Sequence, residues 1–355
     1  MRFVSIGDLE PGMVLGRSFI GALGELMLAA DMVLTEGLVE AIKNLNYSGL
    51  YIKDSFSEGI EPDDLISHEL RNNSVRAIRR FMLDIQTSVT SQASGQIDDI
   101  GALVERIVDE IINSDGAMVN LIDLKSFDLY TFQHSVNVCV LSCAMGAAQG
   151  LPRPRLYDLA LAAILHDIGK VFVPIDILNK PGALTDTEFD TVKKHPAYGS
   201  DYVRSKFSFD NKVCMPIKQH HERHDGGGYP MNLGGDEISP YARIIAIADV
   251  YDAIMSKRPY HEAVLPSEAY EYIMGNSGTH FNPDTVSTFV RTVLPFPIGV
   301  SVRLSNGMVG LVYKNNPSFP LRPLIKIREE AGMPERFIDL SKDSGALDVT
   351  IQAFL

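Results

Sequence analysis

The sequence ILHDIGK at positions 164–170 places His166 and Asp167 side by side, directly after an apolar run. Four further segments carry histidine or aspartate: LYTFQHSVNV (129–138), KKHPAYG (193–199), KQHHERHDGGGYP (218–230) and IIAIADVYDAI (244–254). Only His68 and His280 of the nine histidines lie outside 134–261. An ionisable side chain buried without a partner costs several kcal/mol, a cost that metal coordination removes.

The segments together predict a centre for a pair of divalent metals, because imidazole binds iron, zinc or manganese and a carboxylate can bridge two ions. The candidate ligands are His134, His166, Asp167, His195, His220, His221 and Asp249. His220 and His221 would point about 100° apart on a regular helix. Both can therefore be ligands only if the cluster wraps a helix end or if two ions are present. Asp252, which follows Asp249 by three residues, is expected either to support a metal ligand or to form a local hydrogen bond.

The ordered series of motifs resembles the HD-GYP family of bacterial metal-dependent phosphohydrolases. The resemblance rests on the His-Asp pair of ILHDIGK, the later His-His pair and the ending Gly228-Tyr229-Pro230, and it covers roughly residues 115–300. It implies an HD-type helical bundle and a phosphodiesterase that acts on cyclic diguanylate. The alternatives are a phosphohydrolase for another nucleotide, such as cyclic GMP-AMP, and an inactive nucleotide-binding or scaffold protein.

Two divalent ions, iron or manganese, are the expected cofactors. Bridged by Asp167, they would generate hydroxide from a shared water at neutral pH and stabilise charge on the phosphodiester. The product would be the linear dinucleotide, with GMP after a second cleavage. Asp167 and Lys170 are the expected catalytic residues. The expected substrate contacts are Lys170, Arg258, Gly228, Tyr229 and Pro230. The roles of Arg258 and of the Gly-Tyr-Pro loop are those that the resemblance implies.

The predicted number of metal ions depends on whether the side chain at position 130 can bind a third one. Some members of the resembled family carry a glutamate one helical turn before the first histidine ligand, where it supports a third ion. Tyr130 occupies that position here, four residues before His134 and on the same helix face. A neutral phenol with an ordinary pKa near ~10 is a poor ligand for a hard divalent ion. The sequence therefore predicts two metals.

Composition restricts the class of protein. The formal net charge of −13 argues against a nucleic-acid polymer as partner, because such partners need a basic surface. The three cysteines lack zinc-site spacing and fit a reducing compartment. No apolar run reaches membrane-spanning length, and the first residues do not read as a signal peptide. These features predict a soluble, cytoplasmic chain without a membrane span.

The predicted fold class is mainly α, in four parts. Residues 1–57 read as a small mixed α/β module, 58–115 as linker helices, 116–297 as the helical catalytic domain and 298–355 as a short β element. The linker helices could pair between subunits, which would give a homodimer, and signalling proteins are further expected partners. A basic patch on the first linker helix is interpreted as a solvated face; it consists of Arg71, Arg76, Arg79 and Arg80.

Overall fold

The computed structural model describes residues 1–21, 25–45, 47, 49–62, 64–87, 93–114, 130–255, 266–328 and 336–355. A small α/β module comes first in the chain, a helical body follows, and an antiparallel sheet ends it. The predicted mainly helical fold class, with a mixed module at one end and strands at the other, is confirmed.

The N-terminal module combines short strands with one helix. Its elements are β1 (Arg2–Ser5), β2 (Val14–Leu15), β3 (Phe19–Ile20), β4 (Leu26–Leu28), α1 (Glu36–Lys43) and β5 (Gly49–Lys53). The strands form an antiparallel sheet in the order β1-β5-β2 and a separate β3-β4 pair. Leu15, Phe19 and Ile52 pack in a small core of their own. Arg17 ties this module to the helical body, since its Nη1 donates to Asp64 Oδ2 at 2.5 Å.

The helical body surrounds one central helix. Its helices are α2 (His68–Gln86), α3 (Ala93–Asn113), α4 (Tyr130–Ala148), α5 (Arg153–Ile164), α6 (Ile175–Leu178), α7 (Asp186–Val192), α8 (His195–Phe207), α9 (Asn211–Gln219), α10 (Pro240–Met255), α11 (Pro266–Gly275) and α12 (Pro283–Thr292). Helix α4 is apolar on all sides, which is typical of a buried helix, and Val138, Cys139 and Leu141 are fully buried. It contacts α2, α5, α10 and α12. In the described part of the chain no helix has the length and apolar character needed to cross a bilayer.

Helices α2 and α3, expected as linkers, pack against the body of the same chain. Ile78 and Phe81 of α2, and Val104 and Ile107 of α3, belong to the same buried cluster as the apolar side chains of α4 and α5. The two helices therefore share a core with the helices that carry the histidines. Their pairing between subunits stays a prediction.

The C-terminal sheet contains β6 (Ser301–Leu304), β7 (Val309–Lys314), β8 (Leu324–Ile327), β9 (Arg336–Asp339) and β10 (Ile351–Phe354), in the antiparallel order β10-β6-β7-β8-β9. The sequence pattern predicts the first four strands. It does not predict the edge strand β10, whose four residues are partly buried or exposed and show no clear alternation. Phe3 of β1 bridges to Val300, so the N-terminal module contacts this sheet.

Two helices end earlier than their apolar patterns predict. The apolar patterns predict helices over Arg155–Asp167 and Asp210–His221, but α5 ends at Ile164 and α9 at Gln219. A 3-10 turn over Ile168–Phe172 follows α5 and packs on α8. The early ends place both histidine-bearing pairs, His-Asp and His-His, in the turns after the helices.

Gly169 allows the 3-10 turn to approach α8 closely. A Cβ atom at this position would overlap with the carbonyl oxygen of His195 and lie 2.6 Å from the backbone nitrogen of Gly199. Since both neighbours are backbone, no side-chain rotation can relieve the clash. We expect Gly169→Ala to lower the free energy of unfolding, measured by denaturant titration, by at least the ~1–3 kcal/mol typical of overpacking.

The matched control is Gly275→Ala, because a Cβ at Gly275 meets no atom within 4 Å. This variant should remain within about 0.5 kcal/mol of the parent protein. Equal stability of the two variants would show that the approach of the turn to α8 does not need glycine.

Candidate metal centre

The structure brings all seven predicted ligand residues into one cluster. They come from five places in the fold: His134 from α4, His166 and Asp167 from the turn after α5, His195 from the first position of α8, His220 and His221 from the end of α9, and Asp249 from α10. All are buried except His221, whose side chain is 24% exposed. His220 and His221 both face the cluster because they lie at a helix end rather than within a helix.

Asp167 lies between two pairs of histidines. Its Oδ2 atom is 3.3 Å from Nε2 of His166 and 3.8 Å from Nε2 of His134. Its Oδ1 atom is 3.2 Å from Nε2 of His195 and 3.9 Å from Nε2 of His220. Each oxygen of this one carboxylate therefore faces a different pair of imidazoles.

Asp249 is the second carboxylate of the cluster. Its Oδ1 atom is 3.1 Å from Nε2 of His134 and 4.0 Å from Nε2 of His166, and its Oδ2 atom is 3.7 Å from Nδ1 of His221. Atoms that share one ion at bond lengths of ~2.1 Å lie roughly 3–4 Å apart. The separations around Asp167 and Asp249 are in this range.

Three of the histidines are oriented in the same way by the backbone. In each, Nδ1 is hydrogen-bonded to the carbonyl oxygen three residues earlier: His166 to Ala163 (2.8 Å), His195 to Val192 (2.8 Å) and His220 to Ile217 (2.7 Å). These carbonyls belong to the last turns of helices, where intrahelical donors are missing. Because a carbonyl can only accept, Nδ1 carries the proton and Nε2 presents its lone pair to the cluster.

The cluster contains polar atoms that have no hydrogen-bond partner. Nε2 of His166 and Oδ1 of Asp167 are both buried and make no hydrogen bond with any residue that the structure describes. Buried polar atoms in folded proteins nearly always have a hydrogen-bond partner, so two neighbouring atoms without one require an explanation. A divalent ion provides it, since both atoms are metal ligands in their deprotonated forms. The residues therefore fit a metal centre with nitrogen and oxygen donors.

Burial keeps two of the imidazoles in the form that binds metal. The pKa of His221 is lowered to about 3, and the pKa of His220 is also held well below its usual range; burial is the main cause in both, and the neighbouring histidines add to it. His134 behaves differently. Burial alone would lower its pKa, but hydrogen bonds to Asp249 and Asp252 raise it to about 9.

The two carboxylates are held in their charged form. Burial acts to raise the pKa of each, but neighbouring groups outweigh it and hold both values well below the usual range. The Lys170 ammonium is the main such group for Asp167, and the hydrogen bond from His134 is the main one for Asp249. Metal ligation requires charged carboxylates and neutral imidazoles, so His134, whose raised pKa keeps it protonated at neutral pH, releases a proton when it binds an ion.

Lys170 and the Gly-Tyr-Pro loop lie at the edge of the cluster. Nζ of Lys170 is 2.5 Å from Oδ2 of Asp167. The ring of Tyr229 packs on the ring of His221 with centroids 4.8 Å apart, and the Tyr229 backbone N–H donates to the His221 carbonyl oxygen. Gly228 fits against the Glu222 backbone where a Cβ could not. Arg258 lies outside the described residues, as does the side chain of Tyr130.

Further side chains contact His134 on the side of its ring that faces away from the cluster. Oδ2 of Asp252 lies 2.7 Å from Nδ1 of His134, and Oδ1 of Asp252 accepts a hydrogen bond from Nδ2 of Asn137. Nη1 of Arg71 donates to Oδ1 of Asn137, so the prediction of a wholly solvated arginine face on α2 is wrong at this position. Asn137 follows His134 by three residues, as Asp252 follows Asp249, and this spacing shares a helix face. The same signal could have identified Asn137 from the sequence.

The region that carries this cluster is similar in sequence to several known proteins. Residues 117–285 match the family model described as the HD domain. A cyclic di-GMP phosphodiesterase of Pseudomonas aeruginosa is 38% identical over 257 residues, which are 71% of this chain and 60% of that protein. The cyclic di-GMP phosphodiesterase response regulator RpfG of Xanthomonas campestris is 40% identical over 143 residues, 40% of this chain and 38% of that protein.

A third relative is named for a different cyclic dinucleotide. The 3'3'-cGAMP-specific phosphodiesterase 1 of Vibrio cholerae is 38% identical over 161 residues, 45% of this chain and 37% of that protein. The chain thus spans between 37% and 60% of the length of these three relatives. The cluster and the Gly-Tyr-Pro loop both lie inside the matched HD domain. In this domain, its relatives and the Gly228-Tyr229-Pro230 motif, the chain is similar to the HD-GYP group of HD-domain proteins.

Proposed function

We propose that this chain hydrolyses cyclic diguanylate to the linear dinucleotide, with GMP after a second cleavage, by means of two divalent ions held in the cluster. The position of Asp167 carries the proposal: one carboxylate oxygen faces His195 and His220, and the other faces His134 and His166. A carboxylate placed in this way is suited to bridge two ions. The similarity to relatives named cyclic di-GMP phosphodiesterases supports the substrate class.

The seven ligands proposed from the sequence supply imidazole nitrogen and carboxylate oxygen and no thiolate. This donor set suits iron or manganese, because cysteine-rich sites are the ones that select structural zinc. Two such ions, when bound, would activate a water at neutral pH and neutralise charge on the phosphodiester. Cys139, Cys143 and Cys214 are buried in the apolar core instead, which leaves the cluster without a thiol.

Lys170 is proposed to hold a phosphate oxygen. Its side chain is 33% exposed at the edge of the cluster, so the ammonium group can reach both the Asp167 carboxylate and a ligand from solvent. Arg258 is proposed as a second phosphate contact. Local cations matter here because a chain with a net charge of −13 does not attract an anionic dinucleotide over long distances. Lys170 therefore contributes both binding and orientation.

The Gly-Tyr-Pro loop is proposed to form one wall of the substrate site. Glu222 is almost fully buried and fixes the loop, because its two carboxylate oxygens accept the backbone N–H groups of Met231 (2.6 Å) and Leu233 (3.0 Å). The Tyr229 ring then covers His221 and restricts water at that side of the cluster. We assign Gly228, Tyr229 and Pro230 to shaping the site rather than to proton transfer.

The substrate proposal predicts a specific pattern of turnover. Protein loaded with Mn²⁺, or with Fe²⁺ under anaerobic conditions, should convert cyclic diguanylate to the linear dinucleotide, measured by chromatography, and should leave ATP intact. Chelation should abolish turnover, and added metal should restore it. Hydrolysis of 3'3'-cyclic GMP-AMP without hydrolysis of cyclic diguanylate would favour the alternative substrate suggested by the Vibrio relative. Turnover of neither would contradict the proposal.

The bridging role of Asp167 predicts a joint loss of metal and activity. Asp167→Ala should lose turnover and at least one bound ion per chain, measured by elemental analysis, while the helical circular dichroism spectrum persists. His166→Ala and Asp249→Ala should behave similarly. Asp201→Ala, which removes an exposed carboxylate from α8, is the control and should retain both ions. Full activity of Asp167→Ala would exclude the two-ion arrangement.

The phosphate role of Lys170 predicts a loss of activity without loss of metal. A charged hydrogen bond is worth about 1.5–3 kcal/mol, so Lys170→Ala should lower kcat/KM by about ten- to a hundredfold at full metal occupancy. Arg258→Ala should behave in the same way, and Lys206→Ala, at the exposed end of α8, serves as the control. If Lys170→Ala instead strips the metals, Lys170 supports the ligands rather than the substrate.

A further inference from the structure

A chain of hydrogen bonds leads from His134 away from the cluster to helix α2. Nδ1 of His134 lies 2.7 Å from Oδ2 of Asp252, and Oδ1 of Asp252 accepts from Nδ2 of Asn137 at 2.9 Å. Oδ1 of Asn137 in turn accepts from Nη1 of Arg71 at 2.7 Å. Arg71 is 66 residues from Asn137 in sequence, in a segment outside the matched HD domain.

Asp252 determines how His134 presents itself to a metal. The carboxylate is 1% exposed, and a buried charge of this kind is retained only where donors surround it. Its contact with Nδ1 directs that ring nitrogen away from the cluster and leaves Nε2 facing Asp249 and Asp167. A carboxylate behind a ligating histidine fixes the orientation of the ring and increases its basicity as a ligand.

Arg71 determines which end of the Asn137 amide faces Asp252. A guanidinium group can only donate, so it selects the amide oxygen and directs the NH₂ group towards the carboxylate. Without this cation the amide could rotate and present its oxygen to Asp252, which would place two acceptors against each other. The orientation of Asn137, and through it that of Asp252, therefore depends on a side chain of α2.

The packing of α2 holds Arg71 at this place. Leu70, Ser74 and Val75, on the same helix, are buried in or beside the core that includes α4. At the start of the helix, His68 contacts Arg17 of the N-terminal module, as does Asp64 just before the helix. The buried residues on either side of Arg71 hold the helix against α4, so the guanidinium has a set position relative to Asn137.

We propose that Arg71 is a positioning residue for the metal ligand His134, and that it acts through Asn137 and Asp252. The inference rests on the metal-binding role proposed for His134. The residues that orient the metal ligands would then extend beyond the HD domain to α2. A shortened protein that begins at residue 116 would lack one of these residues.

The test is a titration of metal-free protein with Mn²⁺, followed by the paramagnetic resonance signal of the free ion. Loss of an outer partner of a metal-ligating histidine typically lowers metal affinity by about 10–100-fold. Arg71→Met, which retains an apolar stem but no donor, should weaken at least one Mn²⁺ site by about tenfold, the lower end of that range. Arg71→Lys retains one donor group and should recover part of the affinity.

The matched control is Arg76→Met, which removes the same charge from the exposed face of α2, where Arg76 contacts Asn73 of its own helix. It should bind Mn²⁺ as the parent protein does. Thermal unfolding of the metal-free variants measures general structural damage separately. If Arg71→Met fails to fold, Arg71→Gln, which is too short to reach Asn137, replaces it with the same expected loss.

Equal Mn²⁺ affinity in the Arg71 and Arg76 variants would overturn the inference, as would an equal loss in both. The titration contains no nucleotide, so its outcome is independent of the proposed hydrolysis. Protein that binds Mn²⁺ but leaves cyclic diguanylate intact would refute the proposed function and still test the role of Arg71.

Discussion

The buried carboxylate of Asp167 is the group on which the rest of the site depends. A charge in the apolar interior of a helical body is stable only if opposite charge or strong donors surround it. The described structure gives Asp167 one nearby ammonium group, from Lys170, and four imidazole nitrogens at 3.2–3.9 Å. Among the described residues, two of the polar atoms at this point still have no hydrogen-bond partner. Divalent cations fit this arrangement, because both atoms are metal ligands in their deprotonated forms.

The fold places the ligands by ending helices at the cluster. Helices α5, α7 and α9 each direct their last carbonyl groups towards a histidine that follows in the chain, and these carbonyls fix the ring through Nδ1. Helices α4 and α10 contribute His134 and Asp249 from their interiors, where buried apolar neighbours prevent movement. Helix α2 adds Arg71 on the side of His134 that faces away from the cluster, and its first residue, His68, contacts Arg17 of the N-terminal module.

Much of this could be predicted from the sequence, because the strongest signals are local. The apolar periods identify most helices and strands, and the Thr185-x-x-Glu188 pattern forms the capping box that starts α7. The seven ligand candidates stand out because histidine and aspartate recur in an ordered series of short motifs, and His134 and Asp249 interrupt apolar helices, where ionisable residues are rare. The sequence does not predict the last residues of α5 and α9. There the side chains of His166 and His220 form hydrogen bonds with carbonyl oxygens of the last helical turn. The contact of Arg71 with Asn137 depends on tertiary packing across 66 residues, for which sequence periodicity gives no signal.

Anomalous diffraction from crystals grown with Mn²⁺ would show directly whether Asp167 joins two ions. Two manganese peaks are expected about 3.5–4 Å apart, one bonded to each oxygen of Asp167. One peak should lie on the side of His195 and His220, and the other on the side of His134 and His166. A single peak, or a pair of peaks without a shared Asp167, would contradict the bridging role of Asp167.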